Sequence, residues 1–367
     1  MTSSIHVRVP GKLMIAGEYA VLEPGGQAIV AAVDRYMQAV IKSDESYMLS
    51  LPQLGLENVT WTMTDGKITF NSASPKLAFL KSAIQLFHHY LKEIDVQPRP
   101  FSLTITSELD DASGKKYGLG SSAAVVVTII KSLSEFYSVA LPILDIYKLA
   151  AIAHFKTQGN GSCADVAASA YGGWLQYAPF QAEWLLQELN NETSIVQILR
   201  SEWPNLFIES ITPPSQLKLC VGWTQSVART APMVAKIQQL RHDQPELFQQ
   251  FLENSKLAVQ QVVRGFKEDD PDLAIKGLAG NRVALMQLSD AAVVSIETPT
   301  LKTLIQIADR FGSGKTSGAG GGDCGIAFVK GEAQAEALEK EWRKERIDPL
   351  NLKVSQIGAE RRMQTDD

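Results

Sequence analysis

Four short segments hold residue types that could manage a phosphate or another small anion. The richest is Gly114-Lys115-Lys116-Tyr117-Gly118-Leu119-Gly120-Ser121-Ser122-Ala123-Ala124. Its glycines let the backbone turn tightly and approach a ligand closely. Ser121 and Ser122 then stand as caps at the start of a predicted helix, whose first N–H groups are unsatisfied and carry a partial positive charge. Such a helix start is a seat for phosphate, and Lys115 and Lys116 place full charges beside it. Taken alone, the segment reads equally well as a glycine-rich loop before a capped helix.

The second segment is Ser317-Gly318-Ala319-Gly320-Gly321-Gly322-Asp323. Small residues in a row leave backbone amides open, as an anion nest requires; a hairpin-like connection is the plain alternative. In the third, Pro10-Gly11-Lys12 ends a predicted strand and Gly17-Glu18-Tyr19 follows. A lysine behind a strand end can be aimed at an anion or can simply lie on the surface. The fourth, Gly159-Asn160-Gly161-Ser162-Cys163-Ala164-Asp165, puts an acid at a helix start, where Asp is also a routine cap. Gly314-Lys315-Thr316 imitates the end of a Walker A loop. That loop needs a glycine five residues before Gly314 and a helix after it. Asp309 stands at that position and a strand is predicted to follow, so the Walker reading fails. His88 and His89 have no acid or cysteine in reach and read as structural.

The elements that must position these segments follow from periodicity. Strand patterns cover 5–9, 13–22 after a Pro10-Gly11 break, 28–41, several stretches within 48–70, and 101–105. Apolar spacing at Leu77, Leu80, Ile84, Phe87 and Leu91 predicts a helix, and further helices are predicted over 122–136, 143–154 and 165–170. A strand at 174–178 precedes a mixed region, 180–214, where the domain junction is expected. The second half opens with strand 217–224 and continues with helices 230–241, 245–266, 272–288 and 300–311. Strand 326–329, helix 332–344 and strand 352–356 finish it. Both halves mix strand and helix, so the class is α+β or α/β.

Composition removes several functions. The 367 residues carry 35 Lys+Arg against 40 Asp+Glu, a net charge of −5. That balance argues against a nucleic-acid surface, which needs clustered cations. No apolar run reaches the roughly 18–20 residues of a membrane span, so no membrane partner is expected. The start, Met1 to Lys12, lacks an apolar signal core. Cys163, Cys220 and Cys324 are widely spaced and form no disulfide framework or metal knuckle, so a reducing, cytoplasmic setting is expected.

The order of the segments resembles the GHMP kinases. PGKLMIAGEYAVL near the start, GLGSSAA at one third, GNGSCADVAASAYGG before the midpoint and SGAGGGDCGIAF near the end run in the family's order. Further segments, KYGLGSSAA, VGWTQSVART, IETP and KTSGAGGGDCGIA, are similar to the branch that phosphorylates 5-phosphomevalonate. The resemblance implies an α+β fold of two lobes, the first like domain 2 of ribosomal protein S5 and the second ferredoxin-like. We expect the first lobe to span 1–190 and the second 191–367. It implies ATP and Mg²⁺ as cofactors and a small phosphorylated acid as acceptor.

Carried over residue by residue, Lys12 and Asp165 match the catalytic pair. Lys116, Gly118, Leu119, Gly120, Ser121 and Ser122 match the nucleotide loop, with Ser122 also a metal ligand. Tyr19, Ser162, Thr230, Ser317, Gly318, Ala319 and Gly320 match acceptor-side positions, and Arg229 is a candidate for the acceptor's carboxylate. The family's mevalonate branch usually places a metal-holding Glu eleven residues before the catalytic Asp; His154 stands there. The alternatives are a mevalonate-type or other small-molecule kinase of the family, and a non-catalytic regulatory protein on the same scaffold.

Overall fold

Strand β1 (Ile5–Ala16) and strand β2 (Ala28–Ser43) form a long antiparallel ribbon at the centre of the first lobe. The pairing shifts register between Pro10 and Gly11, so the expected break at that point is a bulge and β1 continues through it. This computed structural model describes residues 4–64, 66–111, 114–226 and 230–362, without the side chains of Thr230 and Ala231.

Strands β3 (Met48–Leu51), β4 (Leu56–Thr64), β5 (Lys67–Phe70) and β6 (Phe101–Ser107) extend the sheet in the order β1-β2-β6-β3-β4-β5. The first half of β2 pairs instead with β7 (Trp174–Ala178), and β7 with β8 (Phe207–Ile211). Only the β3–β6 pair is parallel among the described pairs. Of helices α1 (Ala78–Glu93), α2 (Ser121–Phe136), α3 (Ile143–Gln158) and α4 (Ala164–Tyr171), α2 and α4 pack on this sheet, and α1 and α3 pack mainly on the other helices. Helix α2 is apolar over most of its surface and twelve of its residues are buried, as expected of a helix enclosed by neighbours. Short helices α5 (Ala182–Asn190) and α6 (Ile195–Arg200) follow β7.

The second lobe is an antiparallel sheet ordered β10-β11-β9-β12, built from β9 (Leu217–Trp223), β10 (Gly312–Thr316), β11 (Cys324–Lys330) and β12 (Asp348–Leu350). Its helices are α7 (Thr230–Asp243), α8 (Pro245–Lys267), α9 (Pro271–Ala291), α10 (Pro299–Ala308) and α11 (Glu332–Lys344). The tail then returns to the first lobe, where β13 (Glu360–Arg362) pairs with β1. The fold is the expected two-lobed α+β arrangement. Both β8, at 207–211, and β13 belong to the first sheet although they lie in the range 191–367 expected for the second lobe.

Two local expectations are corrected. Residues 312–316 form strand β10, so the glycine cluster joins two strands of a hairpin and does not follow a helix directly. Residues 352–356 hold only an isolated bridge, Val354 to Val33, and strand pairing occurs at β12 and β13 instead.

One hydrophobic core runs across both lobes. Trp174 of β7 packs edge-on to Phe266 of α8, ring centres 5.4 Å apart, and against Phe328 of β11 at 6.0 Å. Such aromatic contacts add about 0.5–1.5 kcal/mol beyond area burial. All three cysteines are free and buried, and burial pushes the Cys220 thiol up to about 12, which keeps it protonated and inert.

Candidate active site

The glycine loop before α2, expected to seat the nucleotide, is built by β1 passing beneath it. The Lys12 N–H donates to the Leu119 carbonyl at 2.9 Å, and the Lys12 ammonium donates to the Gly118 carbonyl at 3.2 Å. Gly120 is the N-cap of α2 in the left-handed region, φ 80° and ψ 41°. Ser121 and Ser122 were expected to cap this helix; they are its first two helical residues, and no side chain caps the first turn. The reason is the left-handed glycine, which aims the first N–H groups outward and leaves them for a ligand. Lys116 is exposed on the same loop, its backbone bridged to Asp110.

A cavity of about 440 Å³ opens beside this loop. Lys12, Tyr19, Ser162, Asp165, Gly318 and Ala319, all expected at the site, line it, together with Glu18 and His154. Ser122 reaches it through His154: the imidazole Nε2 lies 3.5 Å from the Ser122 hydroxyl, with Phe79 stacked on the ring at 5.0 Å. Lys12 and Asp165 face the same cavity, and no ion pair joins them among the described residues.

Asp165 is held by an unusual local backbone. Cys163 precedes α4 with φ 56°, a left-handed conformation for a residue with a side chain. The Tyr177 hydroxyl donates to the Ser162 carbonyl, and the Tyr147 hydroxyl, 2.8 Å away, supplies the proton that Tyr177 accepts. Burial raises both phenols far above their ordinary range, so they stay neutral donors. The chain of two buried tyrosines therefore fixes the turn that aims Asp165.

The side of the cavity expected to take the acceptor is closed by contacts from β1 and the turn after it to the glycine hairpin. The Ser317 hydroxyl donates to the Met14 carbonyl at 2.9 Å, and the Tyr19 hydroxyl to the Ala319 carbonyl at 2.6 Å. Ser317 and Gly320 are not among the cavity-lining residues: Ser317 braces the hairpin, and a Cβ at Gly320 would stand 2.5 Å from the Ile296 carbonyl. Arg229 lies outside the described residues, as does the side chain of Thr230, whose backbone starts α7. Arg282, another positive group in the second lobe, is bound to Glu297 at 2.8 Å and Asp309 at 2.7 Å.

Sequence reading missed Glu18 and Lys315 as partners. Their only signals were an acid inside Gly17-Glu18-Tyr19 and a lysine inside a strand rich in small residues. A second cavity, of about 840 Å³, flanks the other side of the α3 C-terminus and carries Lys81, Lys92 and Lys156.

A lysine and a carboxylate on one cleft between two lobes, beside an uncapped helix N-terminus, suit phosphoryl transfer, and similarity to known proteins gives the class. Residues 78–173 match the GHMP kinases N terminal domain, and residues 262–348 match the GHMP kinases C terminal domain. The chain is 32% identical over 358 residues to phosphomevalonate kinase of Streptomyces sp. (strain CL190), covering 94% of this chain and 95% of that one. It superposes on the Lin0012 protein from Listeria innocua with a TM-score of 0.92 and 36% identity, covering 98% and 99% of the two chains. It superposes on Streptococcus pneumoniae phosphomevalonate kinase in complex with phosphomevalonate and AMPPNP with a TM-score of 0.83 and 29% identity, covering 95% and 99%. The chain belongs to the GHMP kinase family. Among the described residues no helix is long and apolar enough to cross a membrane.

Proposed function

We propose that this protein transfers the γ-phosphoryl group of ATP to the phosphate of 5-phosphomevalonate, giving 5-diphosphomevalonate and ADP. The observation that carries the proposal is that Lys12 and Asp165 line one cavity while the Lys12 ammonium also bonds the Gly118 carbonyl of the loop leading into α2. Similarity to phosphomevalonate kinases directs the choice of acceptor.

The physics of the reaction suits these residues. A phosphate monoester has a second pKa of about 6, so the attacking oxygen is already largely unprotonated at neutral pH. No strong base is needed. Repulsion between two polyanions opposes reaction instead: like unit charges 4 Å apart cost about 4 kcal/mol at an effective dielectric of 20. Lys12 and the N–H groups of Ser121 and Ser122 offset that repulsion in the transition state. Asp165, facing Lys12 across the cavity with the ammonium itself held by the Gly118 carbonyl, orients the acceptor, with proton removal secondary. Lys116, Gly118 and Leu119 complete the phosphate loop.

Mg²⁺ binds proteins through one or two oxygens while the substrate's phosphates supply others. The Ser122 hydroxyl fits that demand, and among the described residues no group of three or more His, Cys, Asp or Glu side chains gathers into a metal cage. When bound there, Mg²⁺ neutralises phosphate charge. His154 at the adjacent position offers a ring nitrogen, a poorer match to this hard ion.

Ser162, Tyr19, Gly318 and Ala319 hold the acceptor's body, and Arg229 with Thr230 meets its carboxylate. The deciding experiment measures ADP release with ATP and Mg²⁺ while offering 5-phosphomevalonate, mevalonate and homoserine separately. Turnover with 5-phosphomevalonate at least a hundredfold above the others is expected. Faster turnover of mevalonate would replace the proposal with an alcohol kinase.

A further inference from the structure

The lysine of the false Walker motif is the most deeply buried cation described in the molecule. Lys315 is 0% exposed and Glu18 2%. The Lys315 ammonium donates to Glu18 Oε1 and, at 2.6 Å, to the Thr316 carbonyl. The same Oε1 accepts the Gly318 N–H at 3.3 Å. Glu18 sits on the turn after β1, and Lys315 and Gly318 sit on the hairpin of the second lobe, so one carboxylate oxygen joins the two lobes. Its neighbour Tyr19 makes a parallel link to Ala319. Glu18, Tyr19, Gly318 and Ala319 line the cavity that contains Lys12 and Asp165, and Lys315 lies buried behind them.

A buried ion pair is weak grounds for stability, because desolvating two charges offsets their attraction. Burial indeed pulls the Lys315 pKa down against the pull of Glu18. Glu18 Oε2 is buried with no hydrogen-bond partner among the described residues. An apolar pair would fill this space at less electrostatic cost, so packing alone does not account for these residue types. What only a carboxylate supplies is an acceptor strong enough to hold an ammonium and a glycine amide at once.

We propose that the Glu18–Lys315 pair is a positioning latch: it holds the Gly318–Ala319 turn against β1 and so sets the acceptor-binding wall of the cavity. Neither residue touches the reacting phosphates. The inference rests on the proposed reading of this cavity as the acceptor site for its kinetic readout, but not for its structural one.

Three variants test it: Glu18→Gln, Lys315→Met and the double variant Glu18→Gln/Lys315→Met. The double variant removes both buried charges and is the safeguard if a single variant does not fold. Hydrogen exchange is followed in peptides spanning 317–323 and 118–124, alongside KM for 5-phosphomevalonate and for ATP. The latch predicts at least tenfold faster exchange in 317–323 with 118–124 unchanged. It also predicts an acceptor KM raised about tenfold, with the ATP KM within twofold, in Lys315→Met and in the double variant. A lowered melting temperature with unchanged exchange in 317–323 would overturn the latch and leave a merely structural pair. So would equal rises in both KM values. If the wild-type protein turns over no 5-phosphomevalonate, the functional proposal fails while the exchange measurement still decides the latch.

Discussion

Gly120 lies directly against Lys12: a Cβ built at Gly120 would stand 2.8 Å from Lys12 Cγ and 2.9 Å from Cε. The glycine that opens the start of α2 therefore also makes the channel through which the lysine stem reaches the cleft. The proposed phosphate seat and the proposed catalytic cation are one construction.

Gly120→Ala tests that relationship. The new methyl meets the lysine stem and forces a side-chain residue into the left-handed region, which costs about 1–2 kcal/mol. We expect kcat/KM for ATP to fall at least tenfold while the unfolding free energy falls by no more than about 2 kcal/mol. Steady-state kinetics beside urea denaturation separates the two effects.

Tyr177→Phe removes the hydroxyl that holds the Ser162 carbonyl and leaves Tyr147 without its partner. An unmade buried hydrogen bond costs about 1–3 kcal/mol. Because the released turn carries Asp165, kcat should fall severalfold with the ATP KM unchanged. A kcat within twofold of wild type, measured on a protein of reduced stability, would confine the tyrosines to a structural role.

Acid sensitivity has a specific source in the first lobe. His88 is buried between Tyr47, Trp61, Phe101 and Tyr137, and burial, aided by Lys92, pushes its pKa down to about 4. The unfolded chain binds a proton near pH 6.5 while the folded protein does not. Protonation therefore favours the unfolded state: His88 has no effect above about pH 6.5 and destabilises progressively as pH falls from there toward 4. The integrated loss is about 3 kcal/mol. His88→Gln should flatten the melting temperature between pH 6.5 and 4.5 relative to wild type. An unchanged slope would assign the sensitivity to carboxylates instead.

The long periodic elements were legible because burial dictates their pattern. Helix α1 buries Leu77 with its neighbours Leu80, Ile84, Phe87 and Leu91, as the spacing of those residues requires. Strand β10 was hidden because its sequence, GSGKT, has no apolar alternation. The structure supplies the cause: a Cβ at Gly314 would stand 2.7 Å from the Ala308 side chain, so α10 packs too closely for larger residues. At the site, Lys12, Tyr19, Ser162, Asp165, Gly318 and Ala319 were found from segments far apart in sequence, and the structure brings them around one cavity. Glu18, Lys315 and the tyrosine pair stayed invisible because their meaning lies in pairings across 297 and 30 residues, which no local pattern records.

We propose that this cleft works by neutralising two anions and not by removing a proton. Comparing kcat of Lys12→Ala and Asp165→Asn with 5-phosphomevalonate as acceptor tests it most directly. Loss of one preorganised donor at developing charge costs about 10²–10³ in rate, so Lys12→Ala should fall by at least that factor and Asp165→Asn by clearly less. An Asp165→Asn enzyme far slower than Lys12→Ala would contradict the account and make Asp165 the essential base.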